Sequence, residues 1–284
     1  MEALDIAGRF QPLGSGFSWP GRWWGSTVRG ALGAALRSLV CTAPRRRCET
    51  CRHAEGCSFP EYWQPTRESS AGPLYRLPPW LLRVAWRADE LLVTLRLFGP
   101  AMEDQARFRI ALESALARGL TPARRPFLPS APMTVALVRG WSPAEGATRH
   151  PLVVHFRSPL RLIRDGSPQH GAPDFAALLR AAARRWRLAA LSWGWPPPPP
   201  RPPEVRVEAF RSEVRWEDHT RRSARQQATL TLGGLVGWAS YEGEWAVAVD
   251  YLRVASLLGL GKLTTHGFGQ VEFGVEHPAP EAGG

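Results

Sequence analysis

Four glycines, one lysine, two threonines and one histidine crowd into eleven residues near the C-terminus, GLGKLTTHGFG from Gly259 to Gly269. Glycine lets a backbone approach an anion without Cβ interference and lets successive N–H groups converge. Gly259, Gly261, Gly267 and Gly269 therefore suit a phosphate cradle, to which Lys262, Thr264, Thr265 and His266 add side-chain donors. The segment is not a Walker loop, because its lysine follows the second glycine directly and no strand precedes it. A long glycine-rich turn without a ligand is the competing reading. His266 is the group here that can exchange a proton near neutral pH. Acid–base chemistry on a phosphodiester is the reaction this combination could support.

Other candidates are spread along the chain. His155 lies in an apolar run next to Arg157, and His219 precedes Arg221, Arg222 and Arg225. Those three arginines read either as nucleic-acid contacts or as a solvated basic turn before a strand. Arg22, Arg29 and Arg37 flank or lie on the first helical segment and could hold a phosphate and stabilise its charge. Arginine cannot serve as the base, because its pKa exceeds ~12. The four cysteines, Cys41, Cys48, Cys51 and Cys57, fall in one short span with the spacing C-x6-C-x2-C-x5-C. Four thiolates close a tetrahedral zinc site with no open position, which makes such a site structural. Structural zinc is the expectation, with His53 able to replace one cysteine. An iron–sulfur cluster and unligated thiols stay open.

The charge agrees with an anionic partner. Lysine and arginine number 36 against 25 acids in 284 residues, a net charge of +11. Such an excess points to nucleic acid, although arginine-rich coding would raise it too. Every base but one is arginine, and the exception is Lys262 in the glycine-rich segment. No run reaches the ~18 apolar residues of a membrane span, and the start MEALDIAGRF lacks a secretory pattern. A cytoplasmic protein with no membrane partner is expected. Most of the 13 tryptophans are expected in the core, as large aromatics fill the space between sheet and helix.

These groups must be positioned by elements legible in the hydrophobic periodicity. Leu4 to Phe10 reads as a strand and GSGFSWPG as a turn. WWGSTVRGALGAALRSLVC has helical spacing, with Val28, Leu32, Ala35, Leu36 and Leu39 on one face. A cysteine-rich loop spans Cys41 to about Pro65. LLRVAW and LLVTLRLFG form a hairpin. Ala101–Ala117 is helical through Phe108, Leu112, Ala115 and Leu116, and MTVALVRGW is a strand. The order is β-α-β-β-α-β, and it repeats. PLVVHFRSPLRLI is a strand with a bulge expected at Pro159. Asp174–Leu191 is a helix with Phe175, Leu178, Leu179, Ala182, Trp186 and Ala189 on one face and Arg180, Arg184, Arg185 and Arg187 on the other. The prolines from Pro196 to Pro203 form a stiff spacer. EVRVEAFRSEVRW and ATLTLGGLVGWASY are strands, Trp245–Leu258 a helix and GQVEFGVE the last strand. The fold class is α+β: two tandem ferredoxin-like halves, residues 1–145 with a cysteine-rich insertion at 41–65, and residues 150–284 with the glycine-rich loop at 259–269.

The pattern Gly-hydrophobic-Gly, five residues, Gly-hydrophobic-Gly resembles the C-terminal signature of the RAMP superfamily. More closely, RRSARQQATLTLGGLVGWASYEGEW…LLGLGKLTTHGFGQVEF is similar to the C-terminal half of CRISPR pre-crRNA processing endoribonucleases. VRGALGAALRSLVC with its following cysteines, and LRLFG before a helix, extend the resemblance to the first half. The resemblance implies cleavage of CRISPR repeat RNA without a catalytic metal, by 2′-OH attack leaving a 2′,3′-cyclic phosphate and a 5′-OH. It also implies retention of the crRNA product and association with other CRISPR effector subunits. It places Arg221, Arg222 and Arg225 near RNA. One departure is His266, where relatives often carry an aromatic. Two other readings remain: an inactive crRNA-binding subunit of an effector complex, and a zinc-braced structural RAMP subunit.

Overall fold

The computed structural model describes residues 1–14, 24–43, 47–63, 66–69, 72–87, 89–120, 124–223 and 228–276; residues 66–69, 72–75, 210, 221–223 and 228–230 are described by backbone alone. Most of the GSGFSWPG segment, with Arg22, lies outside these residues, as does Arg225.

The N-terminal half runs β1 (Glu2–Pro12), α1 (Gly25–Val40), α2 (Ser58–Trp63), the hairpin β2 (Thr66–Ser69) and β3 (Gly72–Tyr75), β4 (Trp80–Arg87), β5 (Glu90–Leu97), α3 (Pro100–Glu103), α4 (Gln105–Ala117), β6 (Phe127–Pro129) and β7 (Thr134–Arg139). Its antiparallel sheet has the order β4-β5-β1-β6, with β7 also paired to β1. Alternation along β1 turns Ile6 and Phe10 toward α1 and α4, where they join Val28, Leu32, Phe108 and Leu112 in one core. Each such side chain contributes roughly 1.5–3 kcal/mol on burial.

The C-terminal half runs β8 (Leu152–Leu160), the short pair β9 (Ile163–Arg164) and β10 (Ser167–Pro168), α5 (Phe175–Trp193), β11 (Val207–Ser223), β12 (Ala228–Gly243), α6 (Val249–Leu258) and β13 (Val271–Val275). The sheet order β11-β12-β8-β13 repeats that of the first half. Asp174 caps α5 by accepting from the Ala177 amide at 2.5 Å. The second core gathers Val154, Phe156, Leu178, Trp186 and Leu252 and extends to Ala3, Leu77, Leu81 and Phe98 of the first half. Ala3 faces opposite to Ile6 on β1, so the first sheet is packed on both faces. Among the described residues no helix is long and apolar enough to cross a membrane.

The doubled β-α-β-β-α-β order holds. A register shift between Leu235 and Gly237, opposite Phe156 to Leu160, supplies the bulge expected at Pro159. Several details differ. Leu39 is 48% exposed, because the last turn of α1 passes its packing partners and borders a cavity at the cysteines. The helix expected over Ala101–Ala117 breaks at Asp104, whose carboxylate accepts from Tyr62 Oη (2.9 Å) and Arg107 Nη1 (2.7 Å). The first turn of the Trp245–Leu258 helix is 3-10. The proline run is no free spacer: Pro196 and Pro200 carbonyls accept from Trp186 Nε1 and Arg187 Nη2 of α5. Arg221 and Arg222 precede β12 as expected, and they also end β11, paired in register with Leu230 and Thr229. Between α1 and β4 the chain folds into a 3-10 turn (Cys48–Thr50), α2 and the β2–β3 hairpin rather than a bare loop.

Candidate active site between the two halves

The glycine-rich segment leaves α6 at Gly259 and folds back on itself. The Leu260 amide donates to the Gly269 carbonyl (2.8 Å), the Gly269 amide to Pro159 (3.0 Å) and the Lys262 amide to Arg161 (3.0 Å). Leu260 and Phe268, the apolar residues between the glycine pairs, are buried pegs. Gly269 has φ +73°, and a Cβ there would sit 1.9 Å from the Leu260 carbonyl oxygen; at Gly261 one would meet the Arg161 carbonyl oxygen at 2.4 Å. The glycines are therefore demanded by the loop's own closure. The amides of Leu260, Lys262, His266, Gly267, Phe268 and Gly269 all donate within the protein. The loop presents side chains outward rather than an open nest of amides. Leu263, in the left-handed region at φ +67°, turns its carbonyl to accept from both the His266 and Phe268 amides. That conformation costs a non-glycine residue about 1–2 kcal/mol.

What the loop presents is the 3-10 turn Thr264–His266. It docks on the N-terminal half. His266 Nδ1 lies 3.1 Å from Ser26 Oγ in the first turn of α1. Arg29, three residues on and so on the same helix face, donates from Nε to Thr265 Oγ1 at 3.3 Å. The guanidinium of Arg29 lies 4.7 Å from the Trp63 ring centroid and 6.0 Å from that of Trp80. These two rings stack at 4.6 Å, and Trp80 Nε1 donates to the Tyr62 carbonyl. Gly33 makes room for this platform, since a Cβ there would meet the Trp63 ring at 2.4 Å. A planar cation held on indole faces is pre-oriented, which suits it to a phosphate. From the other side, buried Arg185 of α5 donates to Thr264 Oγ1 (3.1 Å) and the Gly261 carbonyl (3.4 Å). Periodicity assigns Arg185 to the outer basic face; its side chain is instead buried and holds the loop. On that outer face, Arg180 pairs with Asp174 at 3.6 Å.

The remaining candidates separate. Arg37 lies two turns beyond Arg29, with its guanidinium 5.9 Å from the Phe59 ring, on the cysteine side of α1. His155 points away from the helices of its half, since its neighbours Val154 and Phe156 are in the core. It borders a shallow depression of about 370 Å³ with Arg157, Arg215 and Trp238. Burial lowers its pKa, Arg157 adds to this and Glu272 opposes it. The structure thus does not bring His155 or Arg37 to His266. His219, within β11, meets the glycine loop edge-on through Phe268 at 6.1 Å. Its pKa is lowered by burial, against the raising effect of Glu217 and Asp218. Lys262 is exposed on the loop. The side chains of Arg221 and Arg222 lie outside what is described. Ser26, Trp63, Trp80 and Arg185 carry no signal in the sequence that links them to the glycine segment.

Cys41, Cys48, Cys51 and Cys57, with His53, line one cavity of about 530 Å³. The Cys48 thiol is pushed up by burial, with the Arg37 charge opposing. Among the described residues no three His, Cys, Asp or Glu side chains are arranged to hold a metal ion. The cavity the zinc expectation requires is there, without the ligand geometry.

Two tandem ferredoxin-like halves meet where a glycine-rich loop carries polar side chains to the first helix. Residues 154–271 match the family model of the CRISPR-associated endoribonuclease Cas6, and residues 20–141 match a family model described as an N-terminal domain. The match to that endoribonuclease family lies in the C-terminal half of the chain. The chain is similar in fold to a Cas6 product complex (18% identity, TM-score 0.55, covering 96% of this chain and 100% of that one). It is also similar to Thermus thermophilus Cas6 (12%, 0.53, 95% and 98%) and to a RAMP protein binding different RNA substrates (13%, 0.52, 96% and 99%). No curated protein matches the sequence.

Proposed function

We propose that this chain cleaves CRISPR repeat RNA at the junction of its two halves. The observation that carries the reading is the docking of Thr265 and His266 on Ser26 and Arg29, which sets a proton-exchanging group beside an oriented cation. His266 takes the proton of a ribose 2′-OH. The 2′-oxygen then bonds to the adjacent phosphorus as the bond to the 5′-oxygen breaks, and that oxygen takes a proton from solvent. The products are a 2′,3′-cyclic phosphate and a 5′-OH. Arg29 stabilises the charge on the phosphorane oxygens, and the loop with Lys262 fixes the in-line geometry. His266, Arg29 and the loop fill the base, charge-stabilising and positioning roles, with solvent as the proton source for the leaving oxygen.

The net charge of +11 supports retention of the crRNA product, and association with other CRISPR effector subunits is part of the same proposal. Binding should weaken steeply with salt as phosphate contacts are lost. The test is incubation of the purified protein with its repeat RNA in EDTA. A product ending in a cyclic phosphate, resistant to periodate, is expected. Intact RNA, or cleavage that stops with EDTA while the melting temperature stays at the untreated value, overturns the mechanism.

We also propose a structural zinc in the cysteine cavity, because all four thiols border it. Binding would draw the thiols together and release their protons. Metal analysis of protein purified without chelator should find about one zinc per chain, held with thiolate ligands. A Cys48→Ser/Cys51→Ser pair with unchanged stability, together with no metal in the parent protein, removes the proposal.

A further inference from the structure

We propose that Ser26 is a positioning residue for His266, an inference that rests on His266 being the group that exchanges the proton. Three observations carry it. Ser26 Oγ stands 3.1 Å from His266 Nδ1 across the junction of the two halves, 240 residues apart in sequence. Both side chains are half-buried, which strengthens the contact relative to one in open water. The two residues before His266 are also fixed: Thr265 accepts from Arg29, and the Thr264 hydroxyl from Arg185.

The two ring nitrogens of a histidine are chemically distinct, and the partner of one decides what the other does. With Nδ1 engaged by a hydroxyl, proton exchange with RNA runs through Nε2. For Nε2 to take a proton the neutral ring must carry its hydrogen on Nδ1, so the serine oxygen accepts from Nδ1–H in both the neutral ring and the imidazolium. It therefore holds the ring in one orientation before and after the ribose proton is taken, and no rotation is needed within the catalytic cycle. In the imidazolium state it accepts a hydrogen bond from the charged ring, which favours that state.

Phosphate binding belongs to the cations and the loop, so the serine should move the rate constant and not affinity. Under single-turnover conditions Ser26→Ala is expected to cut about tenfold more slowly, a smaller effect than the roughly 10²–10⁴-fold of a lost acid or base. RNA affinity and melting temperature should stay at the parent's values. The limb of the pH–rate profile that depends on His266 should move to lower pH. Ser26→Thr, which keeps the hydroxyl, should restore most of the rate.

The deciding measurement is the double variant. If Ser26 acts through His266, Ser26→Ala adds nothing in a His266→Ala background. A further loss in that background, or an unchanged rate and profile in Ser26→Ala alone, overturns the positioning role. His266→Ala cutting at the parent rate would instead remove the underlying assignment of the base, and it is read from that single variant.

Discussion

Replacing His266 by alanine is expected to slow repeat cleavage by about 10²–10⁴-fold, the usual worth of a positioned acid or base, while changing RNA affinity by no more than about twofold. The expectation follows from where the loop delivers the imidazole. His266 is held against Ser26 on α1, next to the Thr265–Arg29 contact. The other histidines with described surroundings fit the role less well. His155 faces the outer depression of the second sheet, and His219 meets the loop only through the Phe268 ring. The measurement is a single-turnover rate on labelled repeat RNA with saturating enzyme, paired with a binding isotherm. A rate within threefold of the parent would show that cleavage relies on arginine positioning and electrostatics alone, roughly a 0.6 kcal/mol change in barrier. Loss of binding and rate together would assign His266 to RNA contact instead.

Arg96→Ala should be the most destabilising single change at the junction, by about 3–5 kcal/mol. Arg96 on β5 is 8% exposed and pairs with both carboxylate oxygens of Asp5 on β1 at 2.7 Å, with Asp5 itself 16% exposed. Its Nη1 also donates to the Ser256 and Leu257 carbonyls at 2.9 and 3.4 Å. These are among the last carbonyls of α6, where a cation also opposes the helix dipole. Alanine leaves a carboxylate and two carbonyls without this partner in a site water barely reaches. A partial offset comes from Arg83, whose pKa is held down at about 10 by burial first and by the Arg96 charge second. Denaturant unfolding read by tryptophan fluorescence measures the effect. A loss under about 1 kcal/mol would mean the ion pair is solvated and contributes like a surface pair. The double change Asp5→Leu/Arg96→Met should recover part of the loss, since it removes the stranded charge as well. Because α6 ends where the glycine loop begins, Arg96→Ala should also reduce cleavage at temperatures where the protein is still folded.

The architecture was legible in the sequence because it rests on local periodicity. The faces of α1, α4 and α5 and the alternation in β1 and β8 are written in apolar spacing, and their order repeats. The glycine loop was legible as a place, and its chemistry was not. Four glycines suggested amides open to phosphate, whereas Gly261 and Gly269 serve close backbone approaches and most amides are consumed in closing the loop. The partners of Thr264, Thr265 and His266 escaped notice because they come from another half of the molecule. No periodic signal marks Ser26, and helical spacing alone sends Arg185 to the outer face. Trp63 follows four cysteines whose spacing signals metal, and nothing local marks its indole as the ring that orients Arg29.

Ser26 and Arg29 lie 240 and 236 residues before their partners His266 and Thr265. On the ribosome the first helix is therefore complete long before the turn it must meet has been synthesised. The proposed cutting centre is complete only once nearly the whole chain has emerged and the halves have closed on each other. A truncated or half-folded copy could carry much of the basic surface and bind RNA without cutting it. Under the proposed mechanism, cleavage therefore requires both halves to be folded and docked.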